Sequence, residues 1–326
     1  MQLSYLRIIC RVIISVCLLP IILWNFTAVA DSTPTKVTLG TATKGGGFQL
    51  FGQNLAQVIN AADPTLQIEA IATRGSKQNL LFLEEGKIDI GLVEGNAARQ
   101  ALDGIGRPAA NLKVLSVMYP NPGMFVVLAN SPYKSIDDLK GHPVAFGTRA
   151  SGLRILAGDV LDGLGLLPDQ DFKQVILDNA ADGPRLVLEK EVVALWGAGI
   201  GWPGFVKVAN GPASARFIAP SPEQIQKILS RHPHLKPMTV PAGTYQGQEA
   251  DINSVGLWSL ILVRSDLPDE VVYRLARAIH KGGSTLANRL KQGVYTTAQN
   301  TVEQVPDSRL HPGAATYYRK IGMRNN

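Results

Sequence analysis

The sequence predicts an α/β protein of two similar lobes around a central cleft, joined by a hinge that the chain crosses twice. Strand and helix patterns alternate along most of the chain, which favours mostly parallel sheets with helices on both faces. A unit of strand, glycine-rich loop and helix occurs twice, starting near Lys36 and near Pro143. The long apolar segment 254–264 follows the second unit and is expected to return the chain to the first lobe.

These observations set the expected domain organisation. We expect lobe 1 to comprise residues 31–125 and 255–326, and lobe 2 to comprise residues 126–254. The repeated unit predicts that both lobes share one α/β plan.

Local patterning predicts each element of lobe 1. Residues 36–39 alternate and are rich in β-formers, 40–47 form a glycine-rich loop, and 48–59 carry apolar residues at helical spacing. The same criteria predict the next elements as a strand at 66–72, a helix at 76–85 and a strand at 112–119, then, where lobe 2 begins, a strand at 125–129 and a short helix at 135–139.

In lobe 2 the pattern begins again with a strand at 143–146, a loop at 147–152 and a helix at 153–164. A helix up to Arg231 is predicted to start at Ser221, since serine is a favoured N-cap and proline follows it. Residues 232–245 are rich in Pro, Gly and Thr and are expected to be irregular. The chain then continues with the strand at 254–264 and a helix at 269–281, capped by Asp266 or Asp269.

Composition and charge exclude several classes of protein. Of the 326 residues, 45% are hydrophobic and 18% are charged, which rules out disorder, collagen and coiled coil. Lysine and arginine number 32 against 26 acidic residues, a formal net charge of +6 that is dispersed along the chain. A weak and dispersed excess of this kind gives no argument for binding nucleic acid.

Residues 1–30 predict a secretory signal peptide that is cleaved before Asp31. Two arginines precede an apolar run at 12–26, and small residues at 28–30 offer a cleavage site. The alternative is a retained membrane anchor, but the run is shorter than the ~20 residues that span a bilayer. Both cysteines lie in this segment, so the mature chain is expected to lack disulfides, thiolate metal sites and a cysteine nucleophile.

The two glycine-rich loops are candidate anion sites. A helix N-terminus leaves backbone N–H groups unpaired and carries partial positive charge. Neither loop matches a nucleotide motif: Gly147 and Gly152 have the P-loop gap, but Leu153 follows instead of lysine, and the first loop lacks the dinucleotide pattern. Carboxylate is therefore the expected anion, in a cleft that both loops face.

Arginine and aromatic side chains near these loops are further candidates. Arg74 and Arg149 each lie in a turn after a predicted strand, one in each lobe, and each offers a fork for a carboxylate. The alternative is a structural arginine that pairs with an acid or faces water. Trp202 and Phe48 stand beside glycines, where an aromatic ring either lines a pocket or fills the lobe.

Catalytic and metal-binding patterns receive no support. None of the five histidines lies in a His-Glu-x-x-His array or near a Gly-x-Ser-x-Gly elbow. His232 and His234 could bind a metal, yet a pair in an exposed loop is more often simply solvated. We therefore expect no catalytic residues, no metal and no cofactor.

Several short stretches, in order along the chain, match one known family. Residues 40–48 resemble a strand followed by G-T-x-x-x-G-G-x-Y/F, and Ser151-Gly152 stands where an S-G-T loop falls. The other matching stretches are 75–80 (G-S-x-x-N-L), 85–93, 135–141 (S-I-x-D-L-K-G), 243–248, 271–273 and 310–314. Their order resembles the TAXI-type solute-binding proteins of TRAP (tripartite ATP-independent periplasmic) transporters.

This resemblance implies a type II periplasmic-binding-protein-like fold, of the Venus-flytrap kind, that closes on a small acid and delivers it to TRAP permease subunits in the membrane. The departures from the family pattern are Arg74 at a usually small position, Leu153 for Thr, Val193 for Asp, and Glu94-Gly95-Asn96 for Gln-x-Asp. The added arginines favour an acidic ligand. The predicted ligand-binding residues are Thr43, Gly46, Gly47, Phe48, Arg74, Ser76, Asn79, Glu94, Asn96, Arg149, Ser151, Gly152 and Trp202.

The expected function is capture of a small organic anion, such as a dicarboxylate, a keto acid or an acidic amino acid, by a periplasmic monomer. One alternative is a sensor subunit that reports the anion to a membrane receptor. Another is an enzyme on the same bilobal fold, which would need a nucleophile, a metal or a tuned acid and base pair.

Overall fold

The computed structural model describes residues 33–324 of the chain. Its strands are β1 (Thr35–Gly40), β2 (Leu66–Ile71), β3 (Ile90–Val93), β4 (Leu112–Leu128), β5 (Pro143–Thr148), β6 (Lys173–Leu177), β7 (Ala194–Ala198), β8 (Ala215–Ile218), β9 (Lys236–Val240) and β10 (Ile252–Arg264). Its helices are α1 (Gly47–Ala62), α2 (Ser76–Glu84), α3 (Gly95–Asp103), α4 (Leu153–Gly163), α5 (Pro168–Asp171), α6 (Asp182–Leu188), α7 (Pro203–Ala209), α8 (Pro222–Arg231), α9 (Asp269–Lys281), α10 (Gly283–Arg289), α11 (Ala298–Gln304) and α12 (Pro312–Lys320). The predicted signal peptide lies outside the described residues.

Two sheets repeat one strand order. The first runs β2-β1-β3-β10-β4, with β1 parallel to β2 and β3, and β10 antiparallel to its neighbours. The second runs β6-β5-β7-β4-β8, with β5 parallel to β6 and β7, and β4 antiparallel to β7 and β8. We call the halves built on these sheets lobe 1 and lobe 2. Both therefore follow the single plan that the repeated unit predicts.

Two long strands join the lobes. β4 pairs with β10 over residues 112–122 and with β7 over residues 123–126. β10 pairs with β9 through residues 252–256 and with β4 from Gly256 onward. The predicted lobe boundaries, at 125/126 and 254/255, fall within these two strands and stay predictions.

The prediction of separate strands at 112–119 and 125–129 is wrong, because β4 runs without a break through Pro120 and Pro122. Proline lacks an N–H donor and usually ends a strand. Here both prolines lie where β4 changes its neighbours, opposite Trp258 and Gly256 of β10. Long-range pairing with β10 thus keeps the segment extended.

Two further local predictions need correction, and one is confirmed. Residues 232–245 are not wholly irregular, because β9 pairs along β10 at the edge of the sheet. Helix α9 has Pro268 at its N-cap with no side-chain cap, so neither Asp266 nor Asp269 caps it. Ser221 does cap α8: its Oγ accepts from the Gln224 N–H, and Gln224 Oε1 accepts from the Ser221 N–H.

Helices cover both sheets and bury separate cores. The core of lobe 1 lies around fully buried residues such as Leu39, Phe51 and Val263. Lobe 2 has one cluster on each face of its sheet, represented by Trp196 and Phe205. This is the two-lobed, type II periplasmic-binding-protein-like fold. Within residues 33–324, no helix is both long enough and apolar enough to cross a membrane.

Candidate ligand-binding site

A small cavity of about 60 Å³ lies between the lobes. Both glycine-rich loops line it, as the repeated strand, loop and helix unit predicts for loops at the carboxyl ends of parallel strands. Ten of the residues selected from the sequence are in its wall: Thr43, Gly46, Gly47, Phe48, Arg74, Ser76, Glu94, Ser151, Gly152 and Trp202.

The first loop connects β1 to α1. Gly46 is the N-cap of α1 and supplies no side-chain cap, so the first amides of the helix are not satisfied by a capping group. A Cβ on Gly47 would lie 2.8 Å from Cδ1 of Trp202, a residue of lobe 2. Glycine at 47 therefore lets the start of α1 approach the opposite lobe closely.

The second loop connects β5 to α4 and meets lobe 1 directly. Gly152 is the N-cap of α4 and has no side chain, but Oγ of the preceding Ser151 accepts from the Leu153 N–H at 3.2 Å. A Cβ there would lie 2.5 Å from Cβ of Glu94 and 2.8 Å from Oγ of Ser76. Any larger residue at 152 would keep the lobes from meeting at this point.

Three hydrogen bonds join the lobes beside the cavity. The Lys77 N–H donates to the Ala150 carbonyl at 3.1 Å, and the Ala181 N–H donates to the Lys44 carbonyl at 3.2 Å. The Ala180 N–H also donates to Oγ1 of Thr43 at 3.2 Å. The cleft is therefore closed in this structure, with contacts that a separation of the lobes would break.

Glu94 is the buried acid of the cavity wall. Only 1% of its surface is exposed. Its Oε2 accepts from the Asn96 and Ala97 amides and so caps α3, whereas Oε1 has no partner among the described residues. Burial, with a smaller contribution from the charge of Asp159, raises the pKa of Glu94 to about 8. The carboxyl is therefore largely protonated at neutral pH and can donate a hydrogen bond into the cavity.

The structure separates the two candidate arginines. Arg74 lies in the turn before α2, is exposed, and lines the cavity. Among the residues that the structure describes, its side chain forms no ion pair or hydrogen bond. Arg149 is exposed but is not part of the cavity wall. It lies near Arg154, since its charge contributes to lowering the pKa of that guanidinium, after burial.

Asn79 and Asn96 also lie outside the cavity wall. Nδ2 of Asn79 donates to three backbone carbonyls, those of Gly40, Thr41 and Leu92, and so ties the ends of β1 and β3 together. Asn96 is fully buried in the first turn of α3. The structure thus gives Asn79 a structural role and places both amides outside the cavity wall.

Trp202 fulfils both of its alternative roles. It lines the cavity, and its ring packs edge to face on Phe205 in the core of lobe 2, with ring centroids 4.9 Å apart. Phe48 also lines the cavity and packs edge to face on Tyr119.

Sequence reasoning missed part of the wall. The wall also contains Ala42, Gly147 and Thr148, which belong to the two glycine-rich loops expected to face the cleft. The residues that sequence reasoning missed are Gly75, Tyr119, Asn121, Leu153, Leu177, Ala180, Trp196 and Ala198. The sequence could have indicated Tyr119 and Asn121, because each has a polar group and stands next to a proline in a mostly apolar strand. Nδ2 of Asn121 donates to Oγ of Ser259 at 2.6 Å, which fixes the amide where β4 crosses between the lobes.

The cavity wall combines few ionisable groups with aromatic surface. Its ionisable side chains, within the described part of the chain, are Arg74, Glu94 and Tyr119, and burial raises the pKa of Tyr119 above its ordinary value. Cationic Arg74, the uncapped N-terminus of α1 and a protonated Glu94 are all hydrogen-bond donors. Chemically, such a wall suits the oxygens of a small anion.

Comparisons with known proteins place the chain in a family. The curated "Putative aliphatic sulfonates-binding protein" of Escherichia coli (strain K12) is 30% identical over 134 residues, which are 40% of this chain and 40% of that protein. The match thus spans about two-fifths of that relative's length.

Solved structures are similar in fold. A protein from Bordetella bronchiseptica RB50 has a TM-score of 0.55 at 13% identity, covering 88% of this chain and 97% of that chain. The alkanesulfonate-binding protein SsuA from Xanthomonas axonopodis pv. citri, bound to MOPS, has a TM-score of 0.49 at 17% identity, covering 90% of this chain and 85% of that chain. A family model matches residues 39–322, which is most of the sequence, and the chain accordingly belongs to the NMT1-like family.

Proposed function

We propose that this protein is an extracytoplasmic solute-binding protein that encloses a small organic anion between its two lobes. The observation that carries the proposal is the cavity at the N-terminus of α1, which no side chain caps, with the second glycine-rich loop and Arg74 also in its wall. Helix N-termini and arginine are the groups that most often hold carboxylate or sulfonate oxygens in proteins.

The size of the cavity limits the ligand. At about 60 Å³ it has room for roughly four to six water molecules, taking 10–15 Å³ each. That volume suits the smallest members of the expected classes, such as a short keto acid or a very short dicarboxylate, whereas an acidic amino acid would need a wider cleft. A short aliphatic sulfonate is a second candidate, favoured by the name of the Escherichia coli relative.

Capture would work by closure of the lobes. In an open form, the donors of α1 and the polar groups of the second glycine-rich loop would each face water, whereas in the closed form both sets reach the same anion. The ligand then binds the closed form more tightly, and this difference in affinity shifts the equilibrium toward closure. The hydrogen bonds between Lys77 and Ala150 and between Ala181 and Lys44 would form in the same step.

The resemblance to TAXI-type proteins supports delivery of the anion to a TRAP membrane permease. In this proposal, the segment 1–30 directs export and is removed, and the mature protein acts as a periplasmic monomer. A sensor subunit that presents the closed form to a membrane receptor remains the alternative. The proposal includes no catalytic step.

A thermal-shift screen of short carboxylates and sulfonates tests the binding proposal. A ligand at 100 times its Kd should add about 2.7 kcal/mol to the free energy of unfolding. The same screen on Arg74→Ala should lose most of the shift, and Arg149→Ala serves as the matched control. If no acid stabilises the wild-type protein while neutral solutes of equal size do, the proposed ligand class is wrong.

The delivery proposal has its own test. Transport of the identified anion into vesicles carrying the candidate permease should require this protein in its ligand-bound form. N-terminal sequencing of protein recovered from the periplasm should begin at Asp31. Uptake that is unaffected by the protein, together with a response from a membrane receptor, would favour the sensor.

A further inference from the structure

A second group of chemically active side chains lies in lobe 2, outside the cavity wall. Asp159 and Asp162 stand one turn apart on α4, and His232 and His234 follow the end of α8. The two helices pack closely because Gly163 has no side chain: a Cβ there would lie 2.8 Å from Cα of Ile228. This close packing brings the two histidines into contact with the acidic side chains of α4.

The histidines are not solvated, contrary to the expectation for an exposed loop pair. The side chains of His232 and His234 are 17% and 18% exposed, and that of Asp159 is 20% exposed. Nε2 of His234 lies 3.0 Å from Oδ2 of Asp159, and Nδ1 of His232 lies 3.9 Å from Oδ1 of the same carboxylate. One ligand atom from each residue falls within 4.8 Å of the other two.

We propose that Asp159, His232 and His234 form a binding site for a divalent transition metal, with Zn²⁺ the expected ion. Two imidazole nitrogens and one carboxylate oxygen are donors that zinc prefers, and they leave a coordination position open for water. Zinc bonds of about 2.0–2.2 Å place tetrahedral ligand atoms about 3.3 Å apart. The two histidine-to-Asp159 spacings, 3.0 and 3.9 Å, bracket this value, and all three ligand atoms lie within 4.8 Å of one another, so side-chain rotations would complete the site.

Asp162 supplies the support that metal-bound histidines normally have. Its Oδ2 lies 2.7 Å from Nε2 of His232, and Arg231 holds the same carboxylate with two nitrogens, at 2.5 and 2.8 Å. Pairing Nε2–H with a carboxylate leaves the lone pair of His232 on Nδ1, the atom that faces Asp159. Asp162 therefore favours the Nε2–H tautomer of His232, which leaves Nδ1 able to bind a metal.

Charge around the site is mixed. Asp159 and Asp162 attract a dication, whereas Arg231 is paired to Asp162 and Arg99 of α3 acts electrostatically on His234. The metal would take the place of the proton between His234 Nε2 and Asp159, and that proton would leave to solvent. A site with one opposing cation and an open position is expected to bind zinc reversibly. Its role would be to fix the end of α8 to α4.

Calorimetric titration with zinc alone, on protein purified without a histidine tag and treated with a chelator, tests this site. We expect one zinc per chain. Binding should be lost in His234→Ala, and it should be unchanged in His280→Ala, whose Nδ1 pairs with the Tyr317 hydroxyl on lobe 1 instead. Cobalt should give the visible absorption typical of tetrahedral coordination by nitrogen and oxygen.

Asp162→Asn separates a metal site from a plain hydrogen-bond network. It leaves all three proposed ligands in place, and as a positioning change it should weaken zinc binding about 10- to 100-fold. If His234→Ala fails to fold, this variant and Asp159→Asn carry the test. No saturable zinc binding to the wild-type protein, or binding that survives these changes, would overturn the inference. Because zinc is the only probe, the outcome does not depend on the proposed anion.

Discussion

Replacing Glu94 by glutamine should stabilise the ligand-free protein at alkaline pH and change it little at acidic pH. Burial raises the pKa of Glu94 from 4.5 to about 8, so the folded protein keeps a proton that the unfolded chain releases. The group's full contribution to folding stability is present below pH 4.5 and is lost as the pH rises toward 8. Glutamine keeps an oxygen for the Asn96 and Ala97 amides and never becomes charged.

The size of the effect follows from the two pKa values. Between these two pKa values, each pH unit lowers the free energy of unfolding by about 1.4 kcal/mol. The cost is under about 1 kcal/mol at pH 5, about 2 kcal/mol at pH 6 and about 4–5 kcal/mol above pH 8.5. Glu94→Gln removes this cost, so its advantage over the wild-type protein should grow over the same range. At about 2 °C per kcal/mol for a chain of this size, the melting temperature should differ by roughly 8–10 °C at pH 9.

Urea unfolding at pH 5, 7 and 9 measures this difference directly. The matched control is Glu69→Gln, an exposed acid on β2, which should change stability little and equally at all three pH values. A Glu94→Gln variant whose difference from the wild-type protein is the same at pH 5 and pH 9 would mean that Glu94 is hydrated in solution. In that case the closed cavity would not exist without a ligand.

Other expectations concern binding and closure. Arg74→Ala should weaken anion affinity about 10- to 100-fold, as expected for the loss of about 1.5–3 kcal/mol, whereas Arg149→Ala should leave it unchanged. Calorimetry that finds unchanged affinity in both variants would show that neither arginine binds the anion. Gly152→Ala should also weaken binding, because its Cβ would meet Glu94 at 2.5 Å, while Gly158→Ala, with open space around it, should bind normally and gain up to about 1 kcal/mol of stability. Anion affinity should fall about tenfold per pH step above pH 8 in the wild-type protein, since an ionised Glu94 repels the ligand, and titrations of Glu94→Gln should show no such fall. Solution scattering should show a smaller radius of gyration with saturating anion than without it, and equal radii with binding verified would indicate a rigid pocket.

Several features of the fold could be read from local patterns. Alternating strand and helix segments, with a repeated glycine-rich loop, led to two lobes on one plan, and the sheets do share one strand order. The N-cap of α8 was readable because serine followed by proline is a local signal, and Ser221 bonds to Gln224 within a single turn. Such features depend on neighbours a few residues apart, so the sequence contains all the information that they need.

The misses have a common physical cause. Prolines at 120 and 122 predicted a break, yet pairing with β10, more than 130 residues away, keeps β4 extended. Arg74 and Arg149 look alike in sequence, and only the packing of the lobes puts the first in the cavity wall and leaves the second outside it. Asn79 is predicted from the sequence to contact the ligand, and only the folded chain brings its amide to three backbone carbonyls.

The sequence by itself determined the α/β class, the two lobes, both glycine-rich loops and ten of the residues around the cavity. Only the tertiary structure decided which charges meet. Glu94 acquires its raised pKa from burial beneath the second lobe, and His232 and His234 acquire Asp159 from the packing of α4 on α8. Desolvation and charge pairing depend on what lies within a few ångströms in space, and for these residues those neighbours are 65 or more positions away in the chain.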